Sequence, residues 1–232
     1  MDFPSPLRQA VLLKRYRRFL ADVRLDDGTT VTVHCPSSGT LRGCADPGSV
    51  VLLSDSGDPS RHHRLTWEIT DLGGTAVCVN TSLCRRLMLE TVEERRVPSF
   101  MPFHEVQRDA ANAMHGTVDI MLHGMDRNGF VNLFGVTWAE GGTALFPDAP
   151  GVKPAAAIRQ LSEIARQGHH AVAFFLVQRG DCRLFKPAEA VDREFMKAML
   201  AAQSAGVELL VHAAQITLSG VTLGPPLPVS LS

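Results

Sequence analysis

From Ala21 to Asn80 the chain alternates apolar and polar residues in short runs. "ADVRL", "TTVTVHC", "GSVVLLSD", "RLTWEIT" and "TAVCVN" are each bounded by Gly, Pro, Asp or Ser. A period of two marks a half-buried strand, and "DDG" between the first two runs reads as a hairpin turn. About five short strands in this length predict a small barrel, for which the OB-fold is a natural candidate. At Ser82 the period changes. In "SLCRRLMLETVEE", Leu83, Leu87 and Met88 share one helical face, and Ser82 is placed as the N-cap. This shift predicts a boundary between a domain over residues 1–81 and a second over 82–232.

The second half mixes the two periods. "FHEVQ", "GTVDIMLH", "FVNLFGVTW", "AVAFFLVQ" and "VELLVHA" read as strands, and "AVAFFLV" is apolar enough to be buried on both faces. "KPAAAIRQLSEIARQG" reads as a helix stopped by Gly168, and "PAEAVDREFMKAMLAAQSAG" as a second, with Pro187 near its start and Gly206 at its end. Strands and helices in this order predict a mixed α/β domain. The proline-rich tail "GPPLPVSLS" is expected to be extended or loosely ordered.

Composition narrows the class. The 232 residues are 45% hydrophobic and 20% charged, as in a folded soluble protein. No apolar run approaches the ~20 residues of a membrane-spanning helix, so no membrane partner is expected. The basic residues of the N-terminus follow its short apolar stretch, unlike a signal peptide. Five cysteines without a C-x-x-C pair argue for reduced thiols in a cytoplasmic protein rather than a zinc ribbon or a disulfide framework. A net charge of −1 excludes a broadly basic surface, so any nucleic-acid contact must be local.

The local candidate is "LLKRYRRFLADV", where Lys14, Arg15, Arg17 and Arg18 surround Tyr16. Guanidinium groups pair with phosphate oxygens and aromatic rings stack on bases. Against this stands the plain reading of a solvated charged edge. Arg42, in the loop "HCPSSGTLRGCADPG", is another residue able to touch phosphate. Adjacent histidines, His62 with His63 and His169 with His170, point to opposite faces of a strand and make poor metal pairs. Glu105, Asp119 and Asp148 form an acidic set in the second half. Carboxylates on neighbouring strands can converge on Mg²⁺, although scattered ones are more often surface residues.

Taken in order, "LLKRYRRFLADV", "VHCPSSGTLRGCADPGSVV", "TWEIT", "VCVNT", "VDIML", "GVTW" and "LFPDA" resemble the sugar fermentation stimulation protein A (SfsA) family over most of the chain. The resemblance implies an N-terminal OB-fold and a C-terminal α/β domain of the PD-(D/E)XK nuclease type. It also implies binding to DNA of low sequence specificity and a regulatory role in maltose metabolism. Within that pattern Glu105 and Asp119 match the family's first acidic positions as the remnant catalytic and metal-binding pair. Asn132 and Phe134 stand where the family carries the Glu and Lys of "E-V-K". Further departures fall at Ser37, Gln107, Thr117, Lys153 and Ala157.

Asn132 and Phe134 share a strand face, two positions apart. Asn132 supplies no charge to hold Mg²⁺, and Phe134 supplies neither proton transfer nor electrostatic stabilisation. The expected protein is a DNA-binding pseudoenzyme that requires no cofactor. Mg²⁺ or Mn²⁺ enters only if activity survives through Lys153 or Glu140 acting from neighbouring elements. A protein-interaction or small-ligand module is the remaining alternative, and a homo-oligomer is left open.

Overall fold

The computed structural model describes residues 1–4, 6–112 and 116–232; the side chains of residues 110–112 and 116–117 lie outside the described set, and with them the departure at Thr117. Six strands form the first unit: β1 (Arg8–Tyr16), β2 (Leu20–Leu25), β3 (Thr30–His34), β4 (Val50–Asp55), β5 (Leu65–Asp71) and β6 (Ala76–Cys78). Their order is β3-β2-β1-β4-β5-β6, and a β3–β5 pairing at His34 and Thr66 closes β1 to β5 into a five-stranded barrel. The predicted runs correspond to β2 through β6. The basic stretch is itself a strand, β1, whose register shifts between Leu12 and Lys14. The barrel interior holds Leu12, Val23, Val33, Val51, Leu53 and Trp67.

The second unit is built on α1 (Thr81–Glu93), β7 (Phe103–Asn112), β8 (Gly116–Gly124), β9 (Gly129–Val136), β10 (Ala139–Glu140), β11 (Thr143–Phe146), α2 (Val152–Arg166), β12 (His170–Val177), β13 (Leu184–Pro187), α3 (Arg193–Ser204), β14 (Glu208–Ile216) and β15 (Val221–Pro226). The main sheet runs β15-β14-β12-β9-β8-β7. β12 lies parallel to both β9 and β14, as central strands buried on both faces do. Its residues divide by parity. Val172, Phe174 and Leu176 pack toward α1 with Leu83 and Leu87, whereas Ala171, Ala173 and Phe175 pack toward α2 and α3 with Ile158, Leu161 and Phe195.

Three local expectations are corrected. The N-cap of α1 is Asn80, whose side chain accepts from Leu83 N–H at 3.0 Å; Ser82 lies inside the first turn. α3 begins at Arg193 behind the N-cap Asp192, because Pro187 ends β13 instead of opening a helix. The tail is anchored: Leu227 N–H donates to Val211 O, and Phe185 and Pro228 are joined by a backbone bond of 2.9 Å. Among the described residues no helix is long and apolar enough to cross a membrane. All five cysteines are free and buried, and burial pushes the Cys44 thiol up to about 11 and that of Cys182 to about 12.

Several polar ties join the units, two of them through Glu68 and Asp148. Glu68 of β5 is 2% exposed; its carboxylate accepts from Ser54 Oγ at 2.6 Å and from Asn80 Nδ2 at 2.7 Å, orienting the residue that caps α1. Burial holds its pKa above the ordinary carboxylate value, more than its two hydrogen bonds lower it. The folded state therefore keeps the proton longer than the unfolded chain, and stability falls as pH rises from the unfolded pKa through the raised folded one. Glu68→Gln removes the charge and keeps both contacts, its Oε1 accepting from Asn80 Nδ2 and its Nε2 donating to Ser54 Oγ, whose hydroxyl turns to accept. Thermal unfolding should show the variant equal to the parent at pH 4 or below and more stable at pH 8.

The second tie is Asp148, which follows β11. Its Oδ2 accepts from Thr40 Oγ1 at 2.7 Å and from Leu41 N–H at 3.1 Å, across to the barrel loop. Gly39 permits this approach, since a Cβ there would stand 3.1 Å from Oδ2. Asp148 is thus an inter-unit strut and no member of the acidic set. Asp148→Ala should cost about 2 kcal/mol in urea unfolding, the worth of hydrogen bonds to a charged acceptor.

Candidate functional site

β8 and β9 pair from Leu122 with Gly129 to Ile120 with Val131 and separate beyond that point. Asp119 and Asn132 stand in the resulting fork. Asp119 Oδ1 accepts from Arg85 of α1 at 2.8 Å, and Oδ2 accepts from Leu133 N–H at 2.7 Å. The Asp119 N–H donates to Asn132 Oδ1 at 3.2 Å, and Asn132 Nδ2 donates to Ala157 O at 3.3 Å and Gln160 Oε1 at 3.4 Å. These bonds explain a buried asparagine in an apolar strand. It links β8 to α2 and leaves no buried amide atom without a partner.

Phe134, on the same face, is 8% exposed and belongs to an aromatic cluster. Its ring stacks on Phe175 at 4.7 Å and meets Phe146 edge-on at 5.8 Å. Phe146 in turn meets Phe195, and Phe175 meets Phe185, at centroid distances of 5.2 and 4.8 Å. Such pairs add ~0.5–1.5 kcal/mol each beyond their area burial. The position is closed by packing.

Glu105 is not brought to Asp119. It is exposed and lies opposite His123, four residues along β7 from the point facing the fork, or about 13 Å of strand. The register pairing Arg108 with Ile120 and Ala110 with Val118 sets Asp109 opposite Asp119 instead, and Arg85 reaches both, at 3.4 and 2.8 Å. Gln107, also on β7, is exposed. Divalent cations require several free oxygens. The fork offers Asp119, with both oxygens taken, and Asp109, the two carboxylates held by one guanidinium, so this donor set does not fit Mg²⁺ or Mn²⁺. No group of three or more His, Cys, Asp or Glu able to hold a metal occurs among the described residues. Glu140 lies 3.9 Å from Arg42, and Lys153 opens α2 on a different wall; neither touches Asp119.

A groove of about 840 Å³ separates the end of β1 from the segment that enters α2. Lys14, Arg17 and Arg18 line one wall, and Lys153 with Pro154 lines the other. Arg17 and Arg18 form the β1–β2 turn with φ of 49° and 62°, exposed to solvent. Neither they nor Lys153 makes an ion pair among the described residues. The remaining candidates are committed to the fold. Arg15 donates to Ser37 O, Thr40 O and Arg18 O at 2.8 to 3.0 Å, holding the barrel loop. Tyr16 donates its hydroxyl to Asp22 at 2.9 Å, and Lys14 pairs with the same carboxylate at 3.3 Å. Arg42 lies 4.1 Å above the Trp138 ring. The N-terminus of α2 borders the groove; the N–H of its N-cap Gly151 donates to Asp192 Oδ2 at 3.2 Å, and Pro154 in its first turn has no N–H.

Sequence alone does not single out Arg85, because its partners lie on distant strands. The one signal it carries is its place on α1, outside the Leu83, Leu87 and Met88 face.

Fold and site together define a two-domain protein: an OB barrel whose basic edge opens onto a mixed α/β domain with a strand fork bridged by an arginine. Residues 13–79 match the SfsA N-terminal OB domain, and residues 82–220 match the sugar fermentation stimulation protein RE domain. The chain belongs to the SfsA family. A sugar fermentation stimulation protein homolog of Geobacter sulfurreducens is 42% identical over 229 residues, covering 99% of this chain and 98% of that one. That of Pelobacter propionicus is 41% identical over 226 residues, covering 97% and 98%. The structure of Pyrococcus furiosus SfsA in complex with Ca²⁺ superposes with a TM-score of 0.87 at 22% identity, over 99% of each chain. At that identity the superposition speaks for the fold.

Proposed function

We propose that this protein binds DNA with low sequence specificity along the groove and does not cleave it. The observation carrying the proposal is the pair of facing cationic walls, Arg17 and Arg18 against Lys153, with the α2 N-terminus beside them. Phosphate is the ligand for which unpaired cations compete best. The nuclease-like fork supports a silent role. Arg85 neutralises the carboxylate that would hold a metal, and Phe134 fills the lysine position with an aromatic stack. The maltose-related regulation that the family resemblance implies would act through the same DNA contact.

Two measurements on one sample test this. Labelled duplex DNA is titrated at several salt concentrations, and in parallel incubated with Mg²⁺ and with Mn²⁺. Expected are affinity that falls linearly on a log-log salt plot, by ~0.9 per phosphate contact, and intact DNA. Salt-independent binding would sink the groove reading. Cleavage abolished by Asp119→Ala would establish a working nuclease, and absence of any DNA binding would point to a protein-interaction module.

A further inference from the structure

The groove carries apolar side chains as well as cations. Besides Arg17, Arg18 and Lys153, its lining includes Pro47, Phe146 and Val152, the last 83% exposed. Phosphates alone make no use of an apolar lining. A duplex presents its phosphates and keeps the faces of its bases in the stack, whereas an unpaired strand presents both. Size points the same way. About 840 Å³ is within the range of pockets that enclose a small molecule, ~300–1,000 Å³, so the groove admits a short run of one strand while a double helix would only rest across its mouth.

A second observation comes from Phe19, which follows Arg18 at the end of the β1–β2 turn and is 48% exposed. Among the described residues it is the one exposed Phe, Tyr or Trp. A single exposed apolar side chain needs no explanation by itself. This one sits on a fixed backbone beside two unpaired arginines. The Phe19 N–H donates to Arg17 O at 2.7 Å, its carbonyl accepts from Cys35 N–H at 2.8 Å, and Arg15 Nε donates to Arg18 O at 3.0 Å. Arg17 and Arg18 take left-handed φ of 49° and 62°, which residues other than glycine seldom adopt. Such backbone persists where its surroundings enforce it, and it clusters at ligand clamps. The turn thus offers two guanidinium groups and one ring without leaving its backbone to be ordered by the ligand.

We propose that the occupant of the groove is single-stranded DNA, and that Phe19 is the platform on which one of its bases stacks. The inference rests on the groove reading, with phosphates held by Arg17, Arg18 and Lys153, and adds a base contact that a duplex does not supply. Every base has a π-face, so stacking is tolerant of sequence and agrees with low specificity.

The test uses the full chain and three end-labelled probes of about 12 nucleotides, within the ~4–16 that one OB barrel covers. They are a mixed-sequence single strand, its duplex, and a strand of abasic sites that keeps the phosphates and lacks the bases. Electrostatics alone ranks the duplex first, because it carries twice the charge per unit length. Anisotropy titrations are expected instead to rank the single strand above both others. Phe19→Ala should weaken single-strand binding about five- to hundredfold, the loss of one base stack, and leave the duplex and the abasic strand unchanged. Phe19→Trp should keep the parent affinity, and Phe19→Leu, which retains apolar bulk without a ring, should lose it at an unchanged urea midpoint. A duplex and an abasic strand bound as tightly as the single strand, with no effect of the Phe19 variants, would overturn the inference and leave the groove reading standing. No binding of any probe would overturn both.

Discussion

Introducing two charges on β9, by Asn132→Glu together with Phe134→Lys, is expected to yield an unstable protein without nuclease activity. Truncating a buried aromatic ring alone costs ~3–5 kcal/mol. Phe134 is 8% exposed and stacked on Phe175, so a lysine there loses that packing and must also desolvate an ammonium, a penalty of several kcal/mol more. Asn132→Glu adds to this by replacing the amide that donates to Ala157 O with a carboxylate that can only accept. The summed loss approaches the ~5–15 kcal/mol that holds an ordinary domain together. Urea unfolding and far-UV circular dichroism should therefore show a collapse of the transition midpoint, with no cleavage in Mg²⁺ or Mn²⁺. A folded double variant that cuts DNA would show instead that the fork is two residues short of an enzyme and otherwise intact.

Phe134 and its neighbours also mark where local sequence stops specifying the molecule. β12 is legible from the chain because seven consecutive apolar residues have no other stable place than a doubly covered strand. α2 is legible from its stop, Gly168, which takes φ of 87°. β1 is hidden because its bulge and the basic run from Lys14 to Arg18, which continues into the turn, obscure the period of two. The start of α3 is ambiguous because proline suits a first helical turn and a strand end equally, and only the pairing of Phe146 with Pro187 decides between them. At the site, the absence of Glu and Lys on β9 is readable from Asn132 and Phe134. Their partners are not. Whether Glu105 or Asp109 faces Asp119 depends on the β7–β8 register, which pairs Arg108 with Ile120 and Ala110 with Val118. The same limit applies to the basic stretch: composition offers four equivalent cations, and packing divides them into those that hold the loop and those that face the groove.

That division makes the other large effect specific. Arg17→Ala, Arg18→Ala and Lys153→Ala combined should reduce the slope of log affinity against log salt by about 2.7 on duplex DNA, at ~0.9 per lost contact. Between 50 and 200 mM salt the parent should then lose on the order of 40-fold more affinity than the triple variant. Stability should hold, since none of the three side chains makes an ion pair among the described residues. Arg15→Ala should behave in the opposite way. Its three bonds to Ser37 O, Thr40 O and Arg18 O organise the loop that Asp148 grips from the other domain, so its loss should lower the urea midpoint first and affect DNA only through the loosened loop. Isothermal titration across salt, paired with unfolding curves of both variants, separates the two roles. A triple variant with an unchanged slope would remove the groove from consideration, whatever its affinity, because a phosphate contact cannot be lost without releasing fewer counterions.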